Sequence, residues 1–371
     1  MEMTKKIKFE SIITNSYLIS DINISDIPKP IYNNIVKIAE AANKQKGVYT
    51  VTITLLYYKT LNPTQDIRKH QSSMEGGFSG RSFDTKYITP VLRKMKLPAM
   101  AESGWLTRSL EQPFPYTLEY NGKISGGVKK PFLQVLDYVE KNPSKSEDLL
   151  RILLYNVIKE TQKNKIKINT LSNPEKLTIT KIVEALDNHF SYQYGTHNGA
   201  KLPVLAFYAI YQLLINELYR YYNCSLAPLA SLTACDLTSK ASGDIEIFKD
   251  NTLFEGIEIK LDKKITEDIV HIAAKKIFRF SPTRYYILSY RGVKQSDRKK
   301  IEKLIFNIKD KHGCQIIING LLSTLKYYLR LVSSLEDFVS NYSSLVENDT
   351  ELQREHKEYW NIILHNMELS H

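Results

Sequence analysis

At 371 residues, 43% hydrophobic and 25% charged, the chain holds material for two or three domains with buried cores. Its 15 Gly, 13 Pro and 3 Cys exclude collagen-like, disulfide-framework and disordered classes. Lys and Arg number 51 against 40 Asp and Glu, and the resulting +11 suits a polyanionic partner, either nucleic acid or an anionic membrane surface.

The membrane alternative weakens at once. The longest apolar stretch, 202–215 (LPVLAFYAIYQLLI), falls short of the ~20 residues that span a bilayer. The N-terminus shows no apolar signal-peptide core. Cys224, Cys235 and Cys314 are odd in number and lack CxxC spacing, which favours a reducing compartment over a disulfide or zinc scaffold. The expectation is a cytoplasmic protein with no membrane partner.

In chain order, Ile31, Ile35, Ile38 and Ala41 at helical spacing predict a helix over 30–45. Residues 49–60 (YTVTITLLYYKT) are β-branched enough for a strand and long enough for a buried helix. Turn formers punctuate 68–127, and a helical segment covers 131–161. The lysine-rich stretch 162–176 reads as a linker. A long buried helix spans 203–222, with Pro203 at its start. Strands at 244–248 (DIEIF) and 252–261 (TLFEGIEIKL) flank the hairpin-type turn Lys249-Asp250-Asn251. A helix at 266–278, a strand at 285–290, a helix at 296–311 and a strand at 314–319 follow, and 320–370 is helical. That order predicts a mixed α/β domain with helices on both sheet faces.

The second strand carries the chemistry. Alternation puts Ile257 and Ile259 on one face and Glu258 with Lys260 on the other. Across the hairpin, Asp244 follows Gly243 at the start of the first strand. Two carboxylates can hold Mg²⁺ through hard oxygen ligands, and a lysine can orient water and offset charge growing on a phosphate. A solvated Glu–Lys surface pair is the bland alternative. Asp244…Glu258-Ile259-Lys260 resembles the motif of the PD-(D/E)XK nuclease superfamily, with Gly243 where the motif's name has Pro.

A wider resemblance accompanies it. QDIRKHQ (65–71), EGGFSGRSFDTKYITPVL (75–92), ESGWLTRSLEQPFPY (102–116) and GAKLPVLAFYAIY (199–211) look like segments of a bacterial type II restriction endonuclease family. SGDIEIF and FEGIEIK fit its catalytic strands. The resemblance implies a restriction-endonuclease-like core, a mixed central sheet flanked by helices, with a helix- and loop-rich N-terminal region. Expected regions are 1–161 for DNA recognition, 162–176 as linker, 177–320 as catalytic domain and 321–371 as C-terminal helices.

The superfamily often adds an acid from the preceding helix. Glu217 is the candidate there, as a metal ligand or as part of an exposed helical stripe; Glu246 is a lesser one. Arg68, Gln71, Arg81, Lys86, Arg108 and Gln112, with His70, sit in the loop-rich region as candidate base or phosphate contacts. Lys275 and Lys276, after the Lys260 strand, are candidate phosphate contacts. Trp105 and Trp360 read as packing residues. The expected function is Mg²⁺-dependent cleavage of double-stranded DNA at a short specific sequence by a homodimer. The alternatives are a structure-selective or repair nuclease of the same fold and a non-catalytic DNA-binding module.

Overall fold

The computed structural model describes residues 2–107, 110–163, 165–171, 173–196, 198–229 and 241–369. The chain divides into two compact units, Met1–Asn164 and Lys165–His371.

Unit 1 contains α1 (Glu2–Asn15), α2 (Lys29–Glu40), α3 (Lys46–Leu61), α4 (Gly80–Phe83), α5 (Thr89–Lys94), α6 (Lys129–Lys141) and α7 (Ser146–Lys163). The ambiguous β-branched run is α3, and it is buried on every side, with Thr50, Thr52 and Thr54 included. A helix apolar all round belongs at the centre of a core, and α6 and α7 pack on it. Thr52 and Thr54 donate their hydroxyls back to the carbonyls of Val48 and Thr50 at 2.7 and 2.8 Å, which lets them sit there. The single helix expected over 131–161 is two, because Pro143 has no N–H to continue α6. Between α4 and α6 the turn-rich chain is pinned by buried Asp84, which accepts hydrogen bonds from the Thr89 and Ser103 hydroxyls and the Gly104 N–H, each at 2.7 Å.

Unit 2 runs α8 (Ile179–Ser191), α9 (Lys201–Glu217), β1 (Cys224–Leu226), β2 (Ile245–Lys249), β3 (Thr252–Lys260), α10 (Glu267–Phe280), β4 (Arg284–Ser289), α11 (Arg298–His312), β5 (Gln315–Gly320), α12 (Leu321–Leu329), α13 (Leu335–Asn348) and α14 (Arg354–Leu369). It is mixed α/β. The five strands lie in the order β1-β2-β3-β4-β5, antiparallel from β1 to β3 and parallel from β3 to β5. Parallel pairing needs crossovers, and α10 and α11 provide them. Ile257, Ile259, Tyr286 and Leu288 pack on one face with α8, α9 and α12, while Tyr285, Ile287 and Ile316 pack on the other with α10 and α11.

Three sequence boundaries move. The helix expected to reach residue 222 stops at Glu217, because Leu218 is extended (φ −99°, ψ 126°) and a 3-10 turn follows. Of the expected linker, residues 165–176 fall in unit 2, where Ile168 is buried in the core and its N–H donates to Glu347 at 2.8 Å. The C-terminal helices share that core through Leu321, Leu325 and Leu329. Among the described residues no helix is long and apolar enough to cross a membrane.

Candidate active site

The hairpin of β2 and β3 places the first acid. Asp250 and Asn251 both adopt positive φ (49° and 61°), the conformation a tight hairpin turn demands. β3 outruns β2, so beyond the Ile245–Ile257 pair the next β3 amide has no strand partner. Asp244 supplies one. Its own N–H donates to the Ile257 carbonyl at 2.8 Å, and its Oδ2 accepts the Ile259 N–H at 2.7 Å. Gly243 is required just before it: a Cβ there would lie 2.6 Å from the Ile257 carbonyl oxygen. That close approach explains why glycine stands at this position.

Glu258 and Lys260 do share a face, but that face is covered. Glu258 is only 5% exposed, which rules out a solvated surface pair. Its Oε1 accepts from Lys260 Nζ at 2.5 Å, and its Oε2 accepts from Lys276 Nζ at 2.9 Å and from the Tyr285 hydroxyl at 3.2 Å. Tyr285 reaches in across Gly256, where a Cβ would come within 3.0 Å of its ring. The same hydroxyl lies 2.5 Å from the Ser242 carbonyl, tying β4 to the segment that leads into Asp244.

Burial and the charge of Glu258 push the Asp244 carboxyl up to about 7. Burial acts on Glu258 in the same sense, but the ammoniums of Lys260 and Lys276 outweigh it and hold that carboxyl below the usual range. Two carboxylates that repel one another form a hard-oxygen donor pair of the kind Mg²⁺ takes. The Ser242 Oγ adds a buried oxygen with no hydrogen-bond partner among the described residues. No group of three or more His, Cys, Asp or Glu suited to a metal gathers among the described residues.

Several expected site residues stand elsewhere. Glu217 is exposed at the end of α9, which packs on the sheet face away from α10, and its Oε2 accepts the Ser333 N–H at 2.7 Å. It ties the chain ahead of α13 and does not join Asp244 and Glu258. Glu246 accepts the Ser242 N–H at 2.6 Å and so shapes the approach to Asp244. Lys276, expected to face DNA phosphates, turns inward to Glu258, whereas neighbouring Lys275 is exposed.

In unit 1 the candidates separate in the same way. The guanidinium of Arg68 is taken up by both oxygens of Asp66, each at 3.0 Å. His70 is buried, stacked on Tyr116, and accepts the Trp105 indole N–H at 2.9 Å, so it reads no base. The Gln71 amide donates to the Glu111 carbonyl at 2.8 Å, and Arg81 meets the Glu111 carboxylate at 3.2 Å. Gln71, Arg81 and exposed Gln112 thus gather around Glu111. Lys86 is exposed beside the Tyr87 ring. Arg108 lies outside the described residues, as does Cys235. Trp105 and Trp360 are buried.

Sequence reasoning missed Lys276, Tyr285 and Ser242 as members of the cluster. A signal existed for the first: Val270, Ala273 and Ile277 mark the buried stripe of α10, and position 276 lies on it. No protein-family model matches the chain, and a search of curated proteins finds no match either. The functional reading therefore stands on the geometry of this cluster.

Proposed function

We propose that the chain is a Mg²⁺-dependent nuclease with a PD-(D/E)XK core, a type II restriction endonuclease that cuts double-stranded DNA at a short specific sequence. The observation that carries the reading is the convergence of Asp244, Glu258 and Lys260 at the end of the β2–β3 hairpin, with the acids repelling each other and the lysine on Glu258. Asp244 and Glu258 would hold the cation, which would supply Lewis-acid charge at the scissile phosphate. Lys260, the more exposed of the two lysines at 18% against 10% for Lys276, orients the attacking water and offsets charge developing on the phosphate. The +11 balance favours DNA through phosphate contacts and counterion release. The exposed group around Glu111 in unit 1 is the base-reading candidate. Cutting both strands calls for two such centres, hence a homodimer, which sedimentation of the protein on a duplex tests.

A plasmid digest with Mg²⁺, with Ca²⁺ and with EDTA tests the activity. Discrete bands with Mg²⁺, none with EDTA, and binding without turnover in Ca²⁺ are expected. Branched-substrate preference would favour a repair-type nuclease instead. One observation favours a non-catalytic DNA-binding module: both Glu258 oxygens already have partners. Binding with no cutting under any metal would establish that reading.

A further inference from the structure

We propose that Lys276 sets the metal affinity of this site, a built-in cation that keeps free divalent ions out until a phosphate-bearing strand arrives. The inference rests on the metal-centre reading above and concerns how that centre is loaded. Glu258 is buried between two ammoniums, one on each oxygen. A carboxylate offers about four acceptor positions; Lys260 and Lys276 occupy two, and the Tyr285 hydroxyl, whose single proton also faces the Ser242 carbonyl at 2.5 Å, lies beside a third. With Asp244 ionised, two negative and two positive side chains make the cluster neutral.

The two lysines are not equivalent. Lys260 stands on the strand end beside Glu258 and is the more exposed, so it can turn toward a substrate. Lys276 is fixed on α10, where the helix positions its stem on the buried stripe with Ala273 and Ile277. For catalysis one lysine suffices. The second has a separate consequence: without it the cluster would carry a net negative charge and attract any cation. With it, an incoming divalent ion meets an ammonium on the oxygen it would use, and repulsion at such distances is strong away from bulk water. A phosphodiester changes that balance, because it adds a negative charge that draws an ammonium and supplies another hard oxygen. Metal entry is thereby made conditional on DNA. Lys276 is a positioning residue in this scheme, acting through the Glu258 carboxylate.

Calorimetric titration of the full chain with Mn²⁺ alone, and separately Ca²⁺ alone, without DNA, tests it. Lys276→Met should bind Mn²⁺ about tenfold more tightly than wild type, or better, since a like charge a few ångströms away has been removed. Lys276→Arg should retain the weak wild-type affinity. Adding Glu258→Gln to Lys276→Met should erase the gain, and adding a duplex in Ca²⁺ should narrow the gap between Lys276→Met and wild type. If Lys276→Met is too unstable to titrate, Lys276→Gln gives the same neutral comparison. A merely structural lysine would leave affinity unchanged or lower it, so equal or weaker binding by the neutral variant overturns the inference while the metal centre stands. Absence of any Glu258-dependent Mn²⁺ binding, with or without DNA, overturns the metal centre and this inference with it.

Discussion

β3 carries two buried glutamates three positions apart, and they are built differently. Glu255, with no exposed surface, pairs with Arg220 and accepts hydroxyls from Tyr221 at 3.1 Å and Tyr286 at 3.3 Å. Glu258, on the other face, takes Lys260, Lys276 and Tyr285. Successive tyrosines of β4 thus serve one glutamate each, because the strand alternates sides. Around Glu255 one acid meets one base through a planar guanidinium, a fixed arrangement suited to holding the sheet against the α9 side. Around Glu258 a second acid has been added, at an electrostatic cost a purely structural cluster would avoid. Flexible point charges replace the guanidinium. That excess of unfavourable charge is what distinguishes the Glu258 cluster from the Glu255 one.

Substitution should split the pair. Glu258→Ala or Lys260→Ala is expected to lower cleavage by about 10²–10⁴-fold, with specific DNA binding retained. Glu255→Gln is expected to leave cleavage per folded molecule near wild type while lowering stability by about 1–3 kcal/mol, since the partly exposed Arg220 keeps some solvation. Digest rates beside urea titrations read both. If Glu258→Ala cuts normally, or Glu255→Gln abolishes cutting in folded protein, the contrast fails.

Asp244 gives a pH-dependent test, run in EDTA. Its carboxyl is raised in the fold from 3.8 to about 7, so its favourable contribution is present below 3.8 and is lost as pH rises through 7. Asp244→Asn escapes that loss and can still accept the Ile259 N–H. The stability of Asp244→Asn relative to wild type should therefore climb by about 1–3 kcal/mol between pH 4 and pH 8. The same variant should be inactive. A flat difference across that range would place Asp244 in an ordinary solvated setting.

Smaller effects belong to the surfaces. Arg81 is 53% exposed and, among the described residues, meets the Glu111 carboxylate, an exposed pair that a base edge can displace. Arg81→Ala should cost about 1–3 kcal/mol on the cognate site and much less on random duplex. Equal losses on both DNAs would make it a phosphate contact. Lys275→Ala should weaken both DNAs alike and reduce the salt dependence by about one ion, as titrations at several salt concentrations would show.

What the amino-acid pattern revealed depended on the range of the interaction. The hairpin and the shared face of Glu258 and Lys260 were legible because turn chemistry and alternation are local. The helix α3 was not separable from a strand, since burial on all sides erases periodicity. Lys275 and Lys276 look like one solvated pair when read by charge, yet the turn of about 100° between successive helical residues leaves one exposed and the other buried on Glu258. Glu217 was ambiguous for a different reason: its partner is the Ser333 amide, 116 residues away. No local pattern encodes that bond. Tyr285 likewise enters the cluster only because parallel pairing sets it beside Gly256.

The hydrogen bond from the Ile259 amide to the Asp244 carboxylate also makes the backbone a reporter. An amide proton shared with a carboxylate senses whether that group is protonated, ionised or drawn onto a cation. Selective ¹⁵N labelling of isoleucine would therefore place a nuclear magnetic resonance probe inside the cluster without altering a side chain. Its chemical shift could be followed through pH, cation and duplex titrations, and the order of loading would be read from a single peak.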